Sequence, residues 1–220
     1  MAKDPKKRQQ KLQRKAAKRK QKRAQIARTS HRLTAPSLSR AGGWPLRAVW
    51  ISKNWQDTQR LTQIVVARDA PTGHVAIGVF LVDLGSLGVK NAYGRVVDET
   101  EYELTMDDIE SRDPLMPGDL DLAAKIVREA VDYAKGLGFR PNKDIGQALR
   151  VLGDANPDAC TVTIPLGGED GKPYYFGGPY DNYDRIIATL TKAVGPDGFT
   201  YVVPLGDDFD MLEDEDWDED

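Results

Sequence analysis

Fifteen lysines and arginines stand against a single acid, Asp4, in the first 40 residues, a net charge of +14. The densest stretch holds Lys11, Arg14, Lys15, Lys18, Arg19, Lys20, Lys22 and Arg23. Cations at that density release counterions from a nucleic-acid backbone, giving tight, sequence-blind binding that weakens steeply with salt. The arm contains no aromatic residue, so the chemistry is phosphate contact without base stacking. A solvated basic tail, a nuclear-import-like signal and a contact with anionic membrane are the competing readings of the same charge. At the other end, residues 207–220 hold ten acids and no base, with Phe209, Met211, Leu212 and Trp217 interspersed. Acidic-hydrophobic alternation suits a segment that docks on a basic partner protein or on the chain's own arm; the plain alternative is a solubilising tail.

Between the two, residues 168–185 (GEDGKPYYFGGPYDNYDR) form the densest unusual block. Tyr174, Tyr175, Tyr180, Asp181 and Asp184 are its candidate pocket residues. A Gly-Gly-Pro turn leading into a helix capped by Asp181 accounts for the same residues structurally. Pro157-Asp158 followed by Asp170-Gly-Lys172 mimics a metal-holding nuclease pattern, but its second half reads as a hairpin turn between strands. His31 and His74 are too separated in context for a metal pair, so no metal and no cofactor is expected. Cys160, the single cysteine, excludes an intramolecular disulfide and reads as a buried structural thiol. No Gly-x-Ser-x-Gly, P-loop or dinucleotide-binding glycine pattern occurs. Asp83, Glu101, Glu103, Asp144 and Asp154 are available for acid–base work, but nothing in the spacing gathers them.

The elements that must position these residues follow from periodicity. Strands are expected at 48–52, 61–68 and 74–84, the last two joined as a hairpin through Asp69–Gly73. Residues 74–84 are apolar on both alternating faces, as for a central strand covered on both sides. Gly85, Gly88 and Gly94 suggest a turn across 84–94. Residues 119–136 form the clearest helix, with Leu122, Ile126, Ala130, Tyr133, Val127 and Leu137 inward, Asp119 at its N-cap and Lys135 in its last turn. A short helix over 142–152 stops at Gly153, and a third runs from Asp181 to about Val194 with Ile186, Ile187 and Leu190 inward. Strands at 160–166 and 172–177, joined by Gly167–Gly171, and a last one at 198–205 complete the set. The irregular mixture predicts an α+β class: one domain with a mainly antiparallel sheet and about three helices.

Three stretches, VFLVDLGSLGVKNAY (79–93), YAKGLGFRPNKDIGQA (133–148) and DGKPYYFGGPYDN (170–182), together resemble a family of uncharacterised bacterial proteins. The resemblance covers about residues 48–195 and implies a bacterial, cytoplasmic protein. It implies no activity and no catalytic residue.

Composition sets the remaining bounds. Of 220 residues, 40% are hydrophobic and 30% charged, an imbalance confined to the two ends. The expected organisation is a basic, largely disordered arm and linker over 1–43, a domain over 44–206, and an acidic disordered tail over 207–220. The domain, at roughly 160 residues, suffices for a proper core. No run reaches the roughly 18 apolar residues of a membrane span, and no apolar segment follows the N-terminal charges as in a secretory signal. The leading expectation is a non-enzymatic accessory protein that associates with nucleic acid, RNA or the ribosome above all, through its arm. The alternatives are a hydrolase of nucleic acid or nucleotide with its site near 168–185, and a toxin- or immunity-type interaction module using the acidic tail.

Overall fold

A computed structural model of the chain describes residues 36–203. The eight arm cations, His31 and the acidic tail lie outside the described residues. Among the described residues the fold is α+β: a five-stranded antiparallel sheet, four α-helices and a small two-stranded parallel sheet. The strands β1 (Leu46–Ser52), β2 (Leu61–Ala70), β3 (His74–Asp83), β4 (Gly88–Asp98) and β5 (Leu115–Pro117) lie in the order β4-β3-β2-β1-β5. The helices are α1 (Glu99–Glu110), α2 (Leu120–Gly136), α3 (Ile145–Leu152) and α4 (Tyr183–Val194). In the smaller sheet, β6 (Tyr174–Phe176) pairs with β7 (Thr200–Val202).

Because side chains alternate along a strand, the pairing of β2 with β3, Val65 opposite Val79, sends two separate apolar sets to opposite faces. Ile64, Val66, Ala76, Phe80 and Val82 join Val49 and Ile51 under α2 and α3. On the reverse face Val65, Ala67, Val75, Ile77 and Val79 meet Tyr102, Met106 and Ile109 of α1. The double coverage expected for residues 74–84 is therefore present. A third cluster, Leu137, Tyr175, Leu190 and Phe199, ties α4 and the small sheet to the end of α2.

Asp119 caps α2 by accepting the N–H groups of Asp121 and Leu122, and Lys135 lies in its last turn, both as expected. Leu122 and Tyr133 of its inward set are only partly buried. Other elements differ from expectation, each for a physical reason. Residues 84–94 are not one long turn: β4 begins at Gly88 and runs through Gly94. Gly78 and Gly94 face each other across β3 and β4, and a Cβ on Gly94 would lie 2.5 Å from the Gln147 carbonyl of α3. These glycines serve close helix-on-sheet approach and not chain reversal. The β2–β3 connection is a three-residue 3₁₀ turn, Pro71–Gly73, shorter than expected. α1 and β5 were not anticipated. Residues 160–166 form no strand: Lys125 Nζ donates to the carbonyls of Cys160 (2.8 Å) and Val162 (2.7 Å), fastening the segment along α2 instead of a sheet edge. With that strand absent, β6 pairs in parallel with β7 and not in a hairpin with 160–166. Cys160 is accordingly half-buried, not buried under a strand. The N-cap of α4 is Asn182, which accepts the Arg185 N–H, and not Asp181. The expected linker also contributes to the folded unit, because Leu38–Gly43 form a 3₁₀ turn that buries Ala41.

Candidate functional site

The region from 168 to 185 acquires its shape from one carboxylate. Asp181 Oδ2 accepts Lys90 Nζ of β4 at 2.7 Å, the Gly178 N–H at 2.9 Å and the Tyr175 hydroxyl at 3.2 Å. Burial alone would raise this carboxyl; the Lys90 ammonium and the N–H and O–H donors outweigh it and hold the group below the ordinary carboxylate range. Tyr183 closes the loop by donating its hydroxyl to the Gly178 carbonyl at 2.9 Å. Tyr175 is fully buried, its phenol pushed upward by burial and then by Asp181.

Beneath this loop lies the β3–β4 turn. Asp83, 6% exposed, accepts the backbone N–H of Ser86 at 3.0 Å, and the Lys90 charge and the neighbouring N–H groups of Gly85 and Leu87 also favour its ionised form. Desolvation dominates, and its carboxyl is pushed up to about 6. The hydroxyls of Ser86 and Tyr133 are buried nearby without a hydrogen-bond partner among the described residues, and the Tyr133 phenol is raised by burial and by the Asp83 charge. Tight approach enforces the packing: a Cβ on Gly85 would meet the Tyr174 carbonyl at 2.4 Å, and one on Gly167 the Tyr133 hydroxyl at 3.0 Å. The three stretches singled out by resemblance thus meet here, through Asp83, Ser86 and Lys90, through Tyr133, and through Tyr175 and Asp181.

Of the five candidate pocket residues, the structure joins only Tyr175 and Asp181 by a hydrogen bond. Tyr174 is half-buried, Tyr180 is 98% exposed, and Asp184 is exposed. The nuclease-like carboxylates have separate employment. Asp158 pairs with Arg128 at 2.8 Å, while Asp170 accepts the backbone N–H of Lys172, whose ammonium donates to the Asp197 carbonyl. Glu101 pairs with Arg95, Asp154 with Arg68, and Glu103 and Asp144 are exposed. Among the described residues no three His, Cys, Asp or Glu side chains are placed to hold a metal. His74 Nδ1 shares a hydrogen bond, 3.1 Å long, with the hydroxyl of Thr72, the one non-glycine residue with positive φ among those described.

Two positioning residues carried no legible signal. Arg68, 3% exposed, reads as the polar end of an apolar strand. It donates to the carbonyls of Val151, Leu152 and Trp44 and to Asp154, holding the last turn of α3 on the sheet. Lys90 reads as a surface residue, and only the fold brings it to Asp181 across 91 positions.

The end of the arm is anchored beside α3. The turn Leu38–Gly43 packs against the helix so closely that a Cβ on Gly42 would lie 3.2 Å from the Arg150 carbonyl. Arg40, Arg140, Lys143 and Arg150 are exposed in this turn, in α3 and in the segment leading into it. Among the described residues none of the four has a carboxylate within ion-pair distance. No helix among the described residues is long and apolar enough to cross a membrane. No family model, curated protein or solved structure matches the chain.

Proposed function

We propose that the protein is a non-enzymatic, nucleic-acid-associated accessory protein of the bacterial cytoplasm whose basic arm contacts RNA or ribosomal phosphate. The observation that carries this reading is the charge of the arm, fifteen bases against one acid in residues 1–40. Arg40 and Arg150, exposed where the turn Leu38–Gly43 packs on α3, carry the arm's own sign of charge and support it. The buried network of Asp83, Lys90 and Asp181 serves in this reading to fix the β3–β4 turn and the 177–183 loop.

The test uses the full chain. Replacing Lys11, Arg14, Lys15, Lys18, Arg19, Lys20, Lys22 and Arg23 with glutamine should weaken binding to a fluorescein-labelled single-stranded RNA at least a hundredfold at low salt, read by anisotropy. Unchanged affinity would overturn the proposal.

A further inference from the structure

α2 and α3 diverge over a groove of about 400 Å³. Val127 and Val131 line it from α2, Ile145 and Leu149 from α3, with Leu152 and Pro157 at one end. Each helix thus contributes an apolar pair at i, i+4, of which Val127 is buried in the main core and Val131 and Ile145 are partly buried against it. Leu149 is 41% exposed, an apolar side chain on a helix whose sheet-facing positions, Ala148 and Val151, are already fully buried. Arg128 and Lys135 lie on the rim but are paired with Asp158 and Asp132. Arg140 and Arg150 adjoin the lining residues Pro141 and Leu149 in sequence, and Lys143 stands two positions from Ile145 beside the exposed Asp144; among the described residues these three cations have no carboxylate within ion-pair distance.

We infer that the acidic segment 207–220 of the same chain docks in this groove. Three observations select it. Its chemistry is complementary, with Phe209, Met211 and Leu212 as apolar anchors among ten acids, opposite in sign to the three cations that have no carboxylate partner among the described residues. The basic arm, by contrast, carries the sign of the rim. The place from which the segment departs is suitable: Val203 packs on the cluster of Leu137, Tyr175, Leu190 and Phe199, whose Leu137 directly follows α2, and the groove's lining includes Lys135 in the last turn of that helix. The reach is sufficient, because the six to nine residues from Val203 to Phe209 and Leu212 span up to roughly 20–30 Å when extended, at about 3.3 Å each. From Val127 to Lys135 the helix rises only about 12 Å. Docking stands without nucleic acid; if the arm binds phosphate as proposed, the tail and the phosphate meet the same three cations.

Nuclear magnetic resonance of the ¹⁵N-labelled full chain tests this directly. The Trp217 indole resonance is assigned with Trp217→Phe, and the amides of 207–220 are followed with it. In the native chain these resonances should be displaced from random-coil positions. Leu149→Glu, at an exposed site, and separately Arg140→Glu with Lys143→Glu, should return them to those positions while the amide of Gly94 stays in place as the check on folding. Random-coil positions in the native chain would overturn the inference, as would displacements indifferent to both variants. Displacements that fade on dilution would also overturn it, since they would indicate a second copy as the occupant.

Discussion

Asp83 shows how a single buried carboxylate couples this fold to pH. Its carboxyl sits at about 6 in the folded chain because burial disfavours the charge more than the Ser86 N–H and the Lys90 ammonium favour it. A raised carboxyl binds its proton more tightly folded than unfolded. Its contribution is complete below the unfolded value of about 3.9 and is lost as pH rises through about 6. Asp181 has the opposite sign: its lowered carboxyl contributes above the unfolded value and loses that contribution only at more acid pH. The two windows separate. Between pH 5 and pH 7.5 the stability of Asp83→Asn relative to the native chain should rise by about 1.4 kcal/mol, measured by urea unfolding. A difference that stays constant with pH would refute the assignment. For the 168–185 block, Asp181→Ala should cost about 3 kcal/mol, because it leaves the Lys90 ammonium largely buried and unpaired. Asp184→Ala and Tyr180→Ala, at exposed positions, should stay within about 0.5 kcal/mol of the native chain in the same measurement. These residues were visible in the sequence as a group, but their division was not. Asp181 differs from Asp184 chiefly through Lys90, and Tyr175 from Tyr180 through the cluster of Leu137, Leu190 and Phe199, all of them remote in sequence.

At the scale of elements, what was legible is what has a period. β1, β2, β3 and α2 follow from alternation or an i, i+4 stripe, and the caps at Asp119 and Gly153 from their chemistry. α1 was hidden by its acidity, although Asp98 does accept the Glu101 N–H at its start and Tyr102, Met106 and Ile109 do fall on one side. Residues 160–166 alternate like a strand but find no strand to pair with. The glycines misled for a different reason: a glycine that admits a neighbouring backbone looks, in sequence, like one that turns the chain. The contact at Gly94 makes this testable. Gly94→Ala should cost about 1–3 kcal/mol, since its Cβ would enter the Gln147 carbonyl and push α3 off the sheet. Gly43→Ala, with open space around the added atom, should change the urea midpoint little. Equal effects would mean that α3 yields readily.

For the whole molecule, charge is the organising feature. The sequence divides it as +14 over residues 1–40 and −10 over residues 207–220, flanking an acidic middle of −7. The folded body adds what composition could not: the end of the arm is fastened beside α3, and α3 also borders the groove assigned to the tail. If the tail docks as inferred, both charged ends of the chain meet at α3. Because counterion release contributes about −0.7 per phosphate contact on a single strand, eight contacts give log K against log salt a slope of about −5 to −6. The measurement that tests the account most directly is therefore the salt dependence of single-stranded RNA binding by the native chain and by the eight-glutamine variant. The account predicts a slope steeper by about 5 for the native chain than for the variant, about −0.7 for each cation removed. Equal slopes for the two proteins would contradict it.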